Sequence, residues 1–269
     1  MKNKIVFITG STDGIGRQTA LDLARMGATI LLHGRNHEKA KVVLREIKDT
    51  TKNKKVKIFT ADLASRSQIR SMTEEIHNQC DHIDVMINNA GVFLTSRRTT
   101  EDGLEMTFAV NHLAPFLLTL LLLDLIEKGA PSRIINVSSM SHSSSIDFNN
   151  LQGERGYSGY DSYSRSKLCN ILFTYELAER LDGKGVTVNC LHPGVINTKL
   201  LRAGWRGGSP VTEGSKTSVY LASATELDTV SGRYFVNEAQ TKSSSISYDR
   251  DVRKRLWKIS EKLTKFVSK

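Results

Sequence analysis

Short apolar runs alternate along this chain with longer stretches whose apolar residues recur every three or four positions. Ile5 to Ile8 is the first run; beyond Gly10, Gly14 and Gly16, the residues Thr19, Ala20, Leu23 and Ala24 share one helical face. The pattern continues with a strand over Thr29 to His33, a helix from Glu38 to Asp49, a strand over Val56 to Thr60 and a helix from Ser67 to Cys80. Asp84 to Gly91 reads as a strand ending in small residues, Leu104 to Lys128 as one long helical region, and Arg133 to Val137 as a strand entering Ser138-Ser139. A polar loop, Ser141 to Asp161, leads to a helix that opens at Tyr163 and reaches Leu181. Strands at Val186 to Cys190 and Arg233 to Val236, with a helix from Thr212 to Ala222 between them, complete the series. Strands alternating with helices predict an α/β protein on a doubly wound parallel sheet, a single domain over 1–269.

The opening strand, glycine turn and helix, followed at the right distance by a second strand, form a βαβ unit of Rossmann type. One glycine permits the turn, another lets a pyrophosphate approach the backbone, and a third lets helix and strand pack closely. Phosphates then sit at a helix N-terminus, where N–H groups and the dipole favour negative charge. Glycine spacing alone is weak; its placement between strand and helix carries the reading.

Composition narrows the class. A chain of 269 residues with 39% hydrophobic content buries a sizeable core, and four prolines argue against disorder. Cys80, Cys169 and Cys190 are odd in number and widely spaced, which points to a reducing compartment and no metal site. The first strand begins right after Met1–Lys4, and Leu113 to Leu125 is shorter than the ~20 residues a bilayer needs, so the expectation is a cytoplasmic protein with no transmembrane segment. That apolar helix is expected in the core or in the interface of a homodimer or tetramer.

The net charge of +10 is concentrated near the end: residues 249–269 carry eight Lys/Arg against three Asp/Glu. Val252, Leu256, Ile259, Leu263 and Phe266 recur there at helical spacing, dividing the chain into a body over 1–248 and a basic amphipathic helix over 249–269. Packing on the body with lysines in water is the expected arrangement, weak contact with a membrane surface the second; no nucleic-acid motif is present.

Several residues stand where a dinucleotide site needs chemistry. After the second strand an acidic residue grips the 2′-hydroxyl of NAD; here Arg35 offers a guanidinium suited to a 2′-phosphate, favouring NADP, with Arg17 and His33 as residues that could share it. Asp62, with Leu63, follows the third strand and could accept from the adenine amino group. Asn111 is a polar amide among apolar residues, either a structural hydrogen-bonder or part of a site. Ser138 and Ser139 end a strand at the sheet's carboxyl edge, where open α/β sheets bind ligands. Tyr163 and Lys167 are four apart and so neighbours on one helix face; an ammonium beside a phenol lowers its pKa. Pro193 and Gly194 would end a strand and leave backbone groups to meet a cofactor ring.

Thr9-Gly-Ser-Thr-Asp-Gly-Ile-Gly16, Asn88-Asn-Ala-Gly91, Asn111-His-Leu-Ala-Pro-Phe116, Asn136-Val-Ser-Ser139, Tyr163 with Lys167, and His192-Pro-Gly194 occur in this order. With them the chain resembles, over nearly its whole length, the short-chain dehydrogenase/reductase family and its retinol-dehydrogenase-like branch. The resemblance implies a catalytic tetrad of Asn111, Ser139, Tyr163 and Lys167. Tyr163 would move the proton, Ser139 would hold the substrate oxygen, Lys167 would bind the nicotinamide ribose and lower the phenol pKa, and Asn111 would steady Lys167 through a water. Ser138 is the second choice for the serine. The cofactor would be NADP(H) in preference to NAD(H), held by Gly10, Ser11, Asp13, Gly14, Ile15, Gly16, Arg35, Asn36, Asp62, Leu63, Asn89, Ala90, Gly91, Tyr163, Lys167, Pro193, Gly194, Val195 and Thr198.

The implied activity is hydride transfer to and from a carbonyl/alcohol substrate, an apolar aldehyde or ketone walled by Phe93, Leu94, Met140, Tyr157, Tyr160 and Trp205. A non-catalytic dinucleotide sensor is the alternative, though a sensor has no need of Tyr163 with Lys167. Two departures matter. Ser139 and Tyr163 are 24 positions apart (163 less 139), more than in many family members but similar to this branch; and the N-terminal anchor common in the branch is not seen, so membrane residence and retinoid use do not carry over.

Overall fold

The computed structural model describes residues 1 to 266. In chain order its elements are β1 (Ile5–Ile8), α1 (Gly14–Arg25), β2 (Thr29–Gly34), α2 (His37–Thr51), β3 (Val56–Thr60), α3 (Arg66–Gln79) and β4 (Val85–Asn88). Then come α4 (Met106–Phe108), a π-helical turn (Ala109–Leu113), α5 (Ala114–Leu121), α6 (Leu123–Lys128), β5 (Ser132–Val137), α7 (Gly159–Arg180) and β6 (Val186–His192). The chain ends through α8 (Lys199–Gly204), α9 (Val211–Ser223), β7 (Tyr234–Val236), β8 (Ala239–Thr241) and α10 (Arg250–Thr264).

The strands form one sheet in the order β3-β2-β1-β4-β5-β6-β7-β8, parallel up to β7. The strand order switches from leftward to rightward progression between β1 and β4, which opens a crevice beyond their carboxyl ends. Alternation of side chains sends Phe7, Leu31, Met86 and Ile134 into a core layer under α3, α5 and α7. Val6, Ile30, Ile87 and Ile135 enter the opposite layer under α1, α2 and α9. Both faces are covered, so the strands read as unbroken apolar runs.

Four differences from the sequence reading have physical reasons. The region 104–128 is not one helix: it breaks into α4, the π turn, α5 and α6. Pro115 has no N–H to donate to the Asn111 carbonyl four residues earlier, and the Asn111 side chain bonds outward, so the α-helical ladder opens there. Helix α7 starts at Gly159, which puts Tyr163 in its second turn and ends the loop earlier. A Cβ on Gly159 would lie 2.4 Å from the Leu94 carbonyl oxygen, a contact only glycine permits. Strand β8 follows a tight turn in which Asn237 and Glu238 take φ of 50° and 63°, a hairpin the pair Asn-Glu signals far less than Asn-Gly. Helix α8 has six residues and none of them buried, too short for a periodic signal.

The tail forms α10 and packs on the body. Asp249 caps it by accepting from the Asp251 and Val252 N–H groups. Trp257 lies 4.9 Å from Phe116 and 5.9 Å from Phe173 between ring centroids, and Leu256 joins the core. The apolar stripe therefore faces inward, and the surface of α5 is covered by α3 and α10 of the same chain. Leu120, Leu121 and Leu123 on the same stretch stay only partly buried. Residues 267–269 of the expected helix lie outside the described residues. Among the described residues no helix is long and apolar enough to cross a membrane, and no cluster of metal-ligating side chains occurs.

Candidate active site

A cleft of about 600 Å³ lies beyond the carboxyl ends of β1, β2 and β4. Its floor is the turn between β1 and α1. Gly10 and Gly14 take φ of 64° and 52°, the left-handed region, and a Cβ on Gly16 would lie 2.4 Å from Asn89 Nδ2 and 2.5 Å from the Gly10 oxygen. The Asn89 side chain donates to the Thr9 and Gly10 oxygens at 2.9 and 3.3 Å, while Thr9 Oγ1 accepts from the Asn89 and Ala90 N–H groups, each at 3.0 Å. This lattice holds the turn open with Gly14, Ile15 and Gly16 facing the cleft. The residues fit a dinucleotide: a pyrophosphate can lie against a backbone that carries no Cβ, at the first turn of α1.

Not every expected contact reaches the cleft. Ser11 is fully buried, and its hydroxyl bonds the His33 backbone, so it is a strut of the turn. Asp13 does line the cleft, but it also caps α1 and pairs with Lys199 of α8, which holds its carboxyl below the usual range. Asn36 Oδ1 caps α2 by accepting from the Lys39 N–H at 2.9 Å. Asp62, Leu63, Asn89, Ala90, Gly91 and Thr198 line the cleft; Pro193, Gly194 and Val195 stand outside its walls.

At the adenosine end Arg35 lines the cleft, exposed and without an ion-pair partner among the described residues. The two residues expected to share its anion do not. Arg17 makes a two-pronged pair with Glu46 on α2. His33 is buried between strand ends: Nδ1 accepts from the Gly10 N–H at 3.1 Å, and Nε2 donates to the Ala61 oxygen at 3.1 Å. Burial pulls its pKa down to about 4, so the ring is a neutral brace.

At the other end the tetrad comes together behind Gly91 and Phe93. Tyr163, Lys167, Ser139 and Asn111 are all buried, drawn from α7, the end of β5 and the π turn. Lys167 Nζ lies 5.5 Å from the centre of the Tyr163 ring and donates to the Val137 oxygen at 3.0 Å. A Cβ on Gly91 would stand 3.4 Å from Asn111 Oδ1 and 3.5 Å from Lys167 Nζ, so this glycine leaves the room in front of both. Asn111 makes structural hydrogen bonds beside the tetrad: Oδ1 accepts from the Val92 N–H at 2.8 Å, and Nδ2 donates to the Val92 oxygen and to Ser166 Oγ, each at 3.0 Å.

The serine pair also separates. Ser138 Oγ donates to the Lys167 backbone oxygen at 2.7 Å, turned into the core. Ser139 Oγ accepts from the Ser141 N–H at 3.0 Å and faces the phenol.

Electrostatics at this end departs from expectation. Burial raises the Tyr163 pKa to about 12, with Ser139 opposing, and lowers the Lys167 pKa to about 8. Burial is the leading cause for both groups, so the protein by itself holds Tyr163 as the neutral phenol.

Helix α8 closes the tetrad end. Leu200 stands 3.6 Å from the Cβ position of Gly91, and Trp205 lies 4.7 Å from Phe93 and 5.6 Å from Tyr163, with Tyr160 at 6.2 Å. Of the expected apolar wall, Phe93, Tyr160 and Trp205 meet here and Leu94 lines the cleft; Met140 is exposed, and Tyr157 instead donates to the Leu94 oxygen at 3.0 Å. The sequence reading missed Thr12, Lys199, Leu200, Ala203, Arg98, Met106 and Val110 as cleft residues. Only the three on α8 had a usable signal, since Thr198 caps a helix there by accepting from the Leu201 N–H.

Fold and site together define a dinucleotide-binding protein of the Rossmann class. The sequence model described as short chain dehydrogenase matches residues 4–206. Retinol dehydrogenase 13 of Homo sapiens is 45% identical over 278 residues, spanning 97% of this chain and 84% of that protein. Polyprenol dehydrogenase of Homo sapiens is 38% identical over 281 residues, spanning 97% and 85%. Among solved structures, an uncharacterized protein from Mycobacterium paratuberculosis superposes with a TM-score of 0.83 at 31% identity over 98% of this chain and 94% of that one. A short chain dehydrogenase from Shigella flexneri complexed with NADP superposes with a TM-score of 0.73 over 89% and 98%, at 24% identity, a likeness of fold. This chain belongs to the short-chain dehydrogenase family, in its retinol-dehydrogenase-like branch, and is an oxidoreductase acting on the CH–OH/C=O pair.

Proposed function

We propose that this oxidoreductase prefers NADP(H) and interconverts an apolar aldehyde or ketone with its alcohol. The convergence of Ser139, Tyr163 and Lys167 behind Gly91, in a cleft whose far end carries the unpaired Arg35, supports this reading most directly. When bound, the nicotinamide supplies or accepts the hydride. Ser139 Oγ holds the substrate oxygen, and Tyr163 gives it a proton in reduction or takes one in oxidation. A phenol raised to about 12 is suited to the reductive direction, where it starts protonated. Lys167 holds the ribose hydroxyls, and Asn111 fixes the backbone at Val92 and the π turn beside it.

The aromatic surfaces of Phe93, Tyr160 and Trp205 stand around Tyr163 and would flank an apolar chain. Relatives named for retinol and polyprenol, both apolar alcohols, favour the same class. Three free, buried cysteines suit a reducing compartment, and we place the protein in the cytoplasm. The test is a panel of linear aldehydes, simple ketones and all-trans-retinal, followed by NADPH and NADH oxidation. Turnover with NADPH on the apolar members is expected. No turnover on any member, or a preference for NADH, rejects the proposal.

A further inference from the structure

Glu105 is fully buried, in the loop before the π turn, and hydrogen-bond partners from three segments meet it. Oε1 accepts from the Thr107 N–H at 2.8 Å and Oε2 from the Phe108 N–H at 2.7 Å, which caps α4. Ser162 Oγ, on α7, donates to Oε2 at 3.0 Å, and the Glu105 N–H donates to Gln152 Oε1 at 3.1 Å. Burying a carboxyl group is costly, and capping alone is done by shorter side chains at exposed helix starts. The length of glutamate is needed for one thing more, the reach to Ser162.

We propose that Glu105 is a positioning residue for the reaction, tying the segment that carries Asn111 to the helix that carries Tyr163. The inference rests on Tyr163 as the proton-transferring group. Ser162 immediately precedes Tyr163, and Ser166 follows one turn later, accepting from Asn111 Nδ2 at 3.0 Å and donating to the Tyr163 backbone oxygen at 2.7 Å. The phenol is thus bracketed by two ties to the same short segment, through Glu105 on one side and Asn111 on the other. Between them they set the rotation of the first turns of α7 about its axis, and hence where the hydroxyl stands relative to Ser139 and Lys167. The preceding loop, Ser141 to Ser158, packs beside this segment through Ile146, Phe148 and Leu151, and Tyr157 Oη reaches Glu105 Oε1 at 3.5 Å; Ser162 and Ser166 are the residues through which α7 itself is hydrogen-bonded to it. A displacement near 1 Å at a reacting group costs up to roughly a hundredfold in rate, so losing one of two ties should cost about tenfold.

Because Glu105→Ala removes the cap as well and risks misfolding, the test uses Ser162→Ala, Glu105→Asp and the double variant. Aspartate still caps but is one methylene short of Ser162. Each is compared with wild type in kcat and KM on the panel aldehyde that wild type reduces fastest, in NADPH Kd, and in amide exchange over residues 159–166. The expected result is kcat lowered about tenfold in each single variant, NADPH Kd unchanged, exchange faster over 159–166, and the double variant no slower than the poorer single. Wild-type kcat in Ser162→Ala, or losses that multiply in the double variant, overturns the tie. Tyr163→Phe in the same assay separates the failures: if it is inactive while Ser162→Ala is normal, only the positioning role falls. If Tyr163→Phe turns over normally, the proton-transfer reading falls and takes the positioning role with it.

Discussion

The two ends of the cleft solve opposite problems. At the adenosine end Arg35 stands in water with its charge uncompensated, ready for an anion, and its neighbours Arg17 and His33 are occupied elsewhere. At the tetrad end every titratable group is out of water, and burial decides its protonation: Tyr163 is pushed up to about 12 and Lys167 down to about 8. The difference teaches that, on the proposed reading, selectivity would come from an exposed charge, whose effect is additive and modest. Chemistry comes from buried groups, where each atom displaced or removed has a large effect.

The comparison is broken most severely by Tyr163→Phe. General acid–base groups contribute roughly 10² to 10⁴ in rate, so kcat should fall by that much while NADPH Kd, measured by fluorescence titration, stays near wild type. Activity close to wild type in the purified variant removes Tyr163 from the chemistry. At the other end, Arg35→Ala should weaken NADPH by about ten- to a hundredfold and leave NADH nearly unchanged, since a charge-assisted contact is worth about 1.5–3 kcal/mol and each 1.4 kcal/mol is tenfold. Equal weakening of both cofactors makes Arg35 a solvated loop residue.

A pH titration of stability sharpens the contrast without any ligand. Lys167 has a folded pKa lowered from 10.5 to about 8, so between these values the unfolded chain binds more protons and stability rises with pH. Tyr163 opposes only above its ordinary value of 10, where the unfolded phenol ionises first. From pH 8 to pH 10 this lysine should contribute a gain on the order of 2 kcal/mol, read as the difference in urea unfolding between cofactor-free wild type and Lys167→Met, because the buried thiols of Cys169 and Cys190, raised from 9.0 to about 12, lose stability over the same window in both proteins. A difference between wild type and Lys167→Met that does not grow over that window contradicts the buried, depressed lysine. The smallest effect is expected from Arg17→Ala: with its guanidinium held by Glu46, NADPH Kd should move less than about twofold, against the tenfold that a lost phosphate contact costs.

How much of this was legible in the sequence differs between the two ends in the same way. The glycine turn was readable because its function is local: Gly10, Gly14 and Gly16 are needed for backbone geometry within one turn. Arg35 was readable because its place follows from counting along a βαβ unit. At the tetrad end the motifs named the residues but not their work. Ser138 and Ser139 look alike in sequence, and only the placement of α7 turns one hydroxyl to the Lys167 backbone and the other to the phenol. Glu105 drew no notice, because an acidic residue before a helix looks solvated until Ser162, 57 positions away, arrives beside it.

The chain by itself determined the alternation of strands and helices, the glycine turn between β1 and α1, the basic amphipathic tail and which motif residues would be candidates for the site. These depend on periodicity and backbone freedom, which are properties of neighbouring residues. Tertiary structure alone decided that the helix over 104–128 opens at Asn111, that α10 covers α5, that α8 closes over Gly91, and which way the pKa values move. Burial and long-range hydrogen bonds bring together residues far apart in the chain, and the free energy of a charge depends on everything around it, not on its neighbours in sequence.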